Sequence, residues 1–373
     1  MNDIIILGAG IAGCGLAYNL SRRIGSKRIK IIDPLDRKKG LHNLRGTFHE
    51  VIREYNLPYE HIFKGVCFGD HRKKYLVVNE KLFIIDYNKI CNYLLSRSNI
   101  KLIKEKALSL ENNSLITDKK KYKYQYIIDC TGMAFFARRL LKLPLPKIYM
   151  YGNRRVIIGK IEPDEYVNFL SEPDGYVEEF YTLNNKILQG DWGISQKVDL
   201  SKITPRPYSF YHRIEDRKIA SKEFVMYPIS PVMPLKYRNI AFLGDAFGNA
   251  TPSTGEGIRP ILDSSKILAR AIELENLDYY QNQWKQRYLD SYLKNLITKL
   301  DLKNRVSILK VLQKNTDNFI QMIKCQGNGK SKLLIRKLPK RMLFKYAFIY
   351  GWLYTIYSLS EYKHKINELL IYT

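Results

Sequence analysis

A strand–turn–helix signature at the start of the chain constrains its fold more than any other feature. Residues Ile4 to Leu20 read IIILGAGIAGCGLAYNL, an apolar run that leads into closely spaced glycines and then into a helical pattern. At this spacing Gly8 permits a tight turn, Gly10 lets the backbone approach a pyrophosphate, and Gly13 lets the helix pack on the strand. The free N–H groups of the helix would face phosphate oxygens. The pattern predicts a dinucleotide-binding unit.

The predicted second strand ends in an acidic residue where such a unit needs one. The segment RIKIIDP places Asp33 about 20 residues after the glycines, where a carboxylate can accept a ribose hydroxyl. An isolated GxGxxG is weak evidence, but this one lies between a strand and a helix. We therefore favour a bound dinucleotide over a glycine turn without a ligand.

A second segment of the same type, Asn239 to Glu275, comes late in the chain. It reads NIAFLGDAFGNATPSTGEGIRPILDSSKILARAIELE, which predicts a buried strand, a glycine-containing loop and a long helix. Asp245 ends the strand and suits a ribitol or ribose hydroxyl, while an aspartate that caps the turn is the alternative. The helix start after Gly255 and Gly257 would direct N–H groups at an anion or a carbonyl group.

Between these segments the pattern predicts the rest of a sheet. Two short strands are expected in Tyr75 to Ile85, and Asp86 suits the N-cap of the helix DYNKICNYLLS. A hairpin at Asn112–Asn113 would lead into the buried strand KYKYQYIID, which stops at a turn that contains Gly132. The letters AFFARRLL that follow predict a short helix.

The composition of the chain changes after residue 143. Prolines and aromatic residues become frequent in residues 144–234, and alternating strand-like pieces predict an inserted antiparallel sheet. Trp192 and Tyr176 are candidates for lining a substrate pocket there, with sheet core as the competing interpretation. Overall we predict an α/β protein (α+β overall) with a discontinuous cofactor domain at 1–143 and 235–278, the sheet domain at 144–234 and a helical C-terminal domain at 279–373.

The charge and the cysteines limit the function classes. The net charge is +26 over 373 residues, but the lysines are scattered and no zinc finger, basic zipper or RNA-binding aromatic motif accompanies them, so nucleic acid is not expected as a partner. Five cysteines without a CxxC pair, and histidines without an HxH or HxxxH pair, predict a reduced protein without a metal site. The early first strand leaves no room for a signal peptide, and we expect a cytoplasmic protein.

Three motifs together resemble those of a flavoprotein family. The segments GAGIAG, IIDCTGMAFFARR and GDAFGNATPSTGEGI look like the FAD-binding motifs of the para-hydroxybenzoate-hydroxylase-like flavoproteins. Within that group the late motif is most similar to the geranylgeranyl reductase family, and IDYNKICNYLL resembles its strand-to-helix segment. The resemblance covers roughly residues 1–140 and 225–275. It implies a Rossmann-like domain that binds FAD.

The resemblance also assigns individual residues to particular parts of bound FAD. It would place Ala12 and Gly13 at the pyrophosphate, Asp33 at the adenosine ribose, Arg45 near the phosphates, Ala107 as a backbone contact to adenine, Asp245 at the ribityl–phosphate region, and Gly257 and Ile258 beside the isoalloxazine. The glycines of the turns, Gly8, Gly10, Gly132 and Gly255, complete the set of candidate cofactor-binding residues. A loop could carry Arg45 back over the pyrophosphate, and a solvent-facing arginine is the alternative. The chain departs from the family at Leu41–Gly46, which lacks a Cys-Gly step, at Tyr87, which replaces an arginine, and in lacking a Tyr-x-Trp-x-Phe-Pro segment.

The implied activity is the saturation of isoprenoid C=C bonds in prenyl diphosphates or ether lipids, by hydride transfer from N5 of reduced flavin. An isolated alkene is unactivated, so we expect an apolar tunnel that excludes water. The sequence identifies no proton donor. A flavin-dependent monooxygenase or halogenase of the same fold is the alternative enzyme, and a basic interaction protein on a degenerate flavin fold is the non-enzymatic alternative.

Two partners follow from the remaining features. The single dinucleotide fingerprint would be used by FAD, so we expect reduction of the flavin by NADPH alone to be slow or absent. An acidic ferredoxin fits the positive charge of the chain as the electron donor, and NADPH is the alternative donor. Residues 342–359 (MLFKYAFIYGWLYTIYSL) follow a basic cluster at 330–341, which suits peripheral contact with an anionic bilayer. A helix that forms a wall of the substrate tunnel is the other interpretation of this segment.

Overall fold

The computed structural model describes residues 3–35, 44–69, 74–111, 113–160, 165–171, 177–183, 186–195, 215–252, 255–290 and 292–293. The strands are β1 (Asp3–Leu7), β2 (Ile29–Ile32), β3 (Leu44–Phe48), β4 (His61–Phe63), β5 (Gly65–Gly69), β6 (Lys74–Val78), β7 (Leu82–Asp86), β8 (Leu102–Ile103), β9 (Ala107–Glu111), β10 (Ser114–Thr117), β11 (Lys121–Asp129), β12 (Tyr149–Lys160), β13 (Tyr166–Ser171), β14 (Val177–Leu183), β15 (Lys186–Ser195), β16 (Glu215–Pro228), β17 (Lys236–Tyr237) and β18 (Ile240–Phe242). The α-helices are α1 (Ile11–Ile24), α2 (His49–Tyr55), α3 (Tyr87–Ser98), α4 (Phe136–Leu140), α5 (Ile258–Glu273) and α6 (Leu277–Trp284).

The first sheet is built around β1. Within the described residues its strands run in the order β17–β18–β11–β1–β2–β8, and β1 pairs in parallel with β11 and β2. Ile4, Ile5 and Ile6 are almost fully buried, as expected for a central parallel strand, which needs a continuous apolar run because both of its faces are covered. Helix α1 packs against α3 and α5. This architecture confirms the predicted α/β fold class.

The predicted ribbon and the predicted helix cap are also present. Strands β9 and β10 pair antiparallel, and β10 continues the ribbon onto β11. The side chain of Asp86 accepts the Lys89 N–H and caps α3. At the end of β11 the buried Asp129 accepts the N–H groups of Thr131 at 3.0 Å and Ala137 at 2.8 Å. The turn after β11 and the start of α4 are therefore tied to one carboxylate.

The second sheet combines two parts of the chain. Its order is β16–β12–β15–β14–β13–β5–β6 among the described residues, and its pairs are antiparallel except for β13 with β5. The antiparallel sheet predicted in residues 144–234 is present, and β5 and β6 join it from before that range. Both strands predicted in Tyr75 to Ile85 exist, but β6 enters this sheet while β7 pairs with β3 and β4 in a three-stranded sheet.

Near the end of the described residues, aromatic side chains of α6 pack on the loop after β18, and α6 also contacts α5. Trp284 is fully buried, with its ring 5.3 Å from that of Phe247, and Tyr280 donates to the Phe242 carbonyl at 2.9 Å. No helix in the described ranges has an apolar stretch long enough to cross a membrane. The aromatic segment at 342–359 lies outside the described residues.

Candidate functional site

The glycine turn after β1 has the geometry that its spacing predicts. Gly8 has a φ of +95°, a left-handed conformation that strains other residues, and a Cβ there would overlap the Cys130 carbonyl oxygen. A Cβ on Gly13 would overlap the Gly8 carbonyl oxygen. These two glycines therefore allow β1, α1 and the end of β11 to approach one another closely.

The middle glycine of the turn faces a tyrosine. A Cβ on Gly10 would lie 2.8 Å from the Tyr87 hydroxyl oxygen, and that oxygen accepts the Ile11 N–H at 2.9 Å. Ile11 is the first residue of α1, and the helix has no side-chain N-cap from Gly10. Tyr87, at the first position of α3, therefore provides the acceptor that a capping residue normally supplies.

Asp33 anchors the same turn from the end of β2. One carboxylate oxygen accepts the Ala9 N–H at 2.7 Å and the other accepts the Leu35 N–H at 2.8 Å. The structure thus gives Asp33 a positioning role that sequence reasoning did not include. Its predicted bond to a ribose hydroxyl stays a prediction.

The two glycine-containing segments meet in space. Gly244 follows β18 with a φ of +73°, and a Cβ on it would lie 2.9 Å from the Ala12 Cβ. Asp245 is consequently placed beside the start of α1. Gly255, with a φ of +70°, packs so closely on Tyr227 that a Cβ would overlap the phenol oxygen. Both late glycines are required by close approach of other parts of the chain.

A cavity of about 360 Å³ opens where these segments meet the second sheet. One set of its lining residues carries charged or hydroxyl groups or backbone of the glycine turns, and we term this set the polar end: Gly10, Ile11, Ala12, Arg45, Tyr87, Gly132, Arg154, Gly244 and Asp245. Its apolar wall includes Phe48, Val66, Phe68, Leu82, Phe169 and Val225. Gly255, Gly257 and Ile258 line it at the start of α5. Across the described ranges, no group of three or more His, Cys, Asp or Glu side chains could hold a metal ion.

The remaining predicted residues lie in several places. Arg45 lines the cavity from strand β3, where it pairs with Ile85, and not from the loop that the sequence suggested. Pairing with β7 draws this stretch into an extended strand. Ala107 is half-buried at the start of β9 and is not among the residues that line the cavity. Trp192 belongs to β15, where it pairs with Gly152, and Tyr176 lies outside the described residues.

Comparisons with known proteins identify the fold. No protein-family model and no curated protein matches the chain. A geranylgeranyl bacteriochlorophyll reductase-like protein of Thermoplasma acidophilum matches with a TM-score of 0.71 at 15% identity, over 90% of this chain and 99% of that one. The chain has the fold of FAD-dependent flavoproteins.

Two further solved structures share this fold. A triple mutant of a flavin-dependent brominase matches with a TM-score of 0.72 at 11% identity, over 90% of this chain and 98% of that one. A probable FAD-dependent monooxygenase of Pseudomonas aeruginosa matches with a TM-score of 0.59 at 14% identity, over 87% of this chain and 99% of that one. The predicted fold is therefore confirmed, and flavoproteins with different activities share it.

The residues at the polar end fit FAD. Gly10 and Ala12 present backbone at the start of α1, where helix N–H groups suit a diphosphate. Arg45 adds a positive charge, with its guanidinium carbon 5.8 Å from the centre of the Tyr87 ring. Asp245 supplies a carboxylate that can accept hydroxyl groups of a ribityl chain. These groups match the chemistry of the diphosphate and ribityl parts of the cofactor.

Burial raises the pKa values of two acidic residues that line the cavity. Desolvation raises the pKa of Asp245 to about 6, and the Arg45 charge opposes part of that shift. Burial also raises the pKa of Glu256, whose carboxylate accepts the Thr47 hydroxyl at 3.1 Å and the Arg259 N–H at 2.8 Å. Glu256 therefore joins the loop before α5 to strand β3. Sequence reasoning missed this contact because its partners are far apart along the chain.

Arg138 is a second residue that sequence reasoning missed. Its guanidinium is fully buried and donates to the carbonyl oxygens of Ala246 at 2.7 Å, Pro234 at 2.7 Å, Val232 at 3.0 Å and Pro144 at 3.0 Å. It also lies 4.0 Å from the centre of the Phe242 ring. Burial lowers its pKa to about 9. Arg138 thus holds the turn that carries Asp245. The sequence signal that could have identified it is a charged residue within the otherwise apolar helical pattern AFFARRLL.

Proposed function

We propose that this protein is an FAD-dependent reductase that saturates C=C bonds in the isoprenoid chains of prenyl diphosphates or ether lipids. The supporting observation is one cavity that joins a glycine turn suited to phosphate with a wall formed by Phe48, Val66, Phe68, Leu82 and Phe169. An isoprenoid chain offers no polar group, so its binding site must be apolar where the double bond lies.

Under this proposal the chain's own residues bind, orient and exclude water. Bound FAD would supply hydride-transfer chemistry. Phe68 and Phe169, with ring centres 5.2 Å apart, form an apolar surface against which an alkene can pack. The N–H groups at the start of α5, next to Gly257, are suited to stabilise negative charge near them.

The cofactor and the substrate are tested separately. Denaturation of the purified protein should release FAD, identified by mass spectrometry. The anaerobic, dithionite-reduced holoenzyme should convert geranylgeranyl diphosphate to a product that is heavier by two hydrogens for each reduced bond. Release of FMN, or of no flavin, would contradict the cofactor assignment. An FAD-loaded enzyme that leaves the isoprenoid unchanged would contradict the substrate assignment.

A matched pair of variants tests the apolar wall. Phe169→Ala removes a ring that is 8% exposed in the cavity wall, whereas Phe224→Ala removes one that is 43% exposed on the same sheet. We expect Phe169→Ala to slow turnover about tenfold or more with normal FAD content, because the alkene loses its support. Equal effects of the two variants would argue against this use of the wall.

The alternative function is flavin-dependent oxygenation or halogenation. It is supported by the shared fold of the brominase and of the probable monooxygenase. Oxygen consumption by the reduced enzyme distinguishes the two proposals. Consumption that rises with an organic substrate would favour the alternative, and isoprenoid reduction without coupled oxygen uptake would favour the reductase.

We also propose peripheral contact with anionic membranes through residues 342–359, supported by the basic residues upstream of them in the sequence. The protein should sediment with anionic vesicles at low salt and less at high salt. Glutamine at Lys330, Lys332, Arg336, Lys337, Lys340 and Arg341 should weaken this binding. Unchanged binding would favour the alternative in which the segment forms a tunnel wall.

A further inference from the structure

We propose that Tyr87 is a diphosphate-binding residue, whose hydroxyl accepts the Ile11 N–H and donates its own proton to a diphosphate oxygen of FAD. The inference rests on the FAD part of the proposed function and is independent of the isoprenoid substrate. The ligand chemistry is the diphosphate diester of a dinucleotide. Helix start, phenol and phosphate would form one hydrogen-bonded chain.

The position of Tyr87 carries the first step. Its hydroxyl lies at the start of α1, 2.9 Å from the Ile11 nitrogen, and the residue lines the polar end of the cavity. The hydroxyl also faces Gly10, where a Cβ would come within 2.8 Å of it. Any group that the glycine turn admits to the helix start must therefore come close to the phenol oxygen.

The hydrogen-bonding capacity of the phenol carries the second step. A tyrosine hydroxyl can accept and can also donate one proton. Here it accepts from Ile11, and its proton has no acceptor among the residues that the structure describes. Burial raises the pKa of Tyr87, so the proton is retained at neutral pH. The phenol is thus a donor directed into a cavity that suits an anion.

Arg45 carries the third step. Its guanidinium lies 5.8 Å from the centre of the Tyr87 ring, within the range of a cation–π contact. The ring therefore supports the cation that accompanies the phenol at the polar end of the cavity. A neutral donor beside one arginine replaces the second arginine expected from the resemblance. Binding should consequently depend less on salt than it would with two cations at this position.

The test compares two Tyr→Phe variants on the same helix. Tyr87→Phe keeps the ring and removes the hydroxyl, while Tyr93→Phe removes a hydroxyl that accepts from Arg97 at 2.7 Å and does not line the cavity. FAD affinity is measured by the change in flavin fluorescence on titration of the deflavinated protein. Phosphorus NMR of bound FAD reports directly on the diphosphate. Circular dichroism of each apoprotein checks the fold.

We expect Tyr87→Phe to raise the Kd for FAD about five- to tenfold, the usual effect of one lost hydrogen bond. At least one phosphorus resonance should shift in Tyr87→Phe and neither in Tyr93→Phe. A Kd within about twofold of wild type would overturn the inference. So would a raised Kd with both resonances unmoved, since Tyr87 would then only position α1. A wild-type protein that binds no FAD would instead refute the cofactor assignment.

Discussion

At the scale of single residues, Gly10 is the position where one added methyl group should matter most. In Gly10→Ala the Cβ would lie 2.8 Å from the Tyr87 hydroxyl and displace it from the Ile11 N–H. We expect FAD affinity to fall about tenfold or more, as measured by fluorescence titration. In a Tyr87→Phe background, Gly10→Ala should reduce FAD affinity by a smaller factor, because the ring then lacks the oxygen that the Cβ would contact. Additive losses in the double variant would contradict this contact.

Asp245 is the residue whose protonation should show in stability. Its folded pKa of about 6 lies above the ordinary value of 3.8, so the folded apoprotein holds this proton between roughly pH 4 and 6 while the unfolded chain has released it. The free energy of unfolding of the apoprotein should therefore fall as the pH rises from about 4 to about 6, as Asp245 loses its proton. Asp245→Asn should remove this effect and stabilise the apoprotein at neutral pH by at most about 3 kcal/mol, with little change near pH 4.

Urea unfolding of both apoproteins across this pH range measures the effect of Asp245→Asn. The raised pKa values of Asp129 and Glu256 act in both proteins, so the difference between the curves isolates Asp245. A difference that stays constant with pH would contradict the assigned titration.

At the scale of elements, Arg138 joins α4 to the turn after β18 and to residues 232–234. Arg138→Met would leave four carbonyl oxygens without this donor and should lower the free energy of unfolding by about 3–5 kcal/mol. Arg139→Met is the control, because Arg139 is exposed and its side chain donates to the carbonyl oxygen of Ala134, which is nearby in the chain. Denaturant unfolding measures the free energy of unfolding of both variants. An equal loss in Arg138→Met and Arg139→Met would refute this role of Arg138.

At the scale of the whole molecule, the charge of +26 should act on the electron donor. We propose that an acidic ferredoxin reduces the flavin and that NADPH alone does so slowly. Reduction by ferredoxin should slow steeply as salt rises, because steering of oppositely charged proteins is screened. Anaerobic stopped-flow bleaching of the flavin measures both rates. Fast, stoichiometric bleaching by NADPH without a partner would overturn the proposal.

The sequence by itself determined the features that depend on neighbouring residues. These features are the spacing of Gly8, Gly10 and Gly13, the isoleucine run of β1 and the Asp86 cap of α3. Each depends on residues only a few positions apart in the chain. The two segments with glycine-containing loops could be recognised separately, and the resemblance of three motifs to a known family implied the flavoprotein fold.

Only the tertiary structure decided which distant residues meet. Tyr87 contacts Ile11 across 76 positions, and Thr47 contacts Glu256 across 209. Strands β6 and β7 are adjacent in sequence yet enter different sheets. Such contacts follow from strand order and helix packing, which place residues together irrespective of their separation along the chain. Local patterns therefore predicted the glycine turns, while the phenol that faces one of them emerged only from the folded structure.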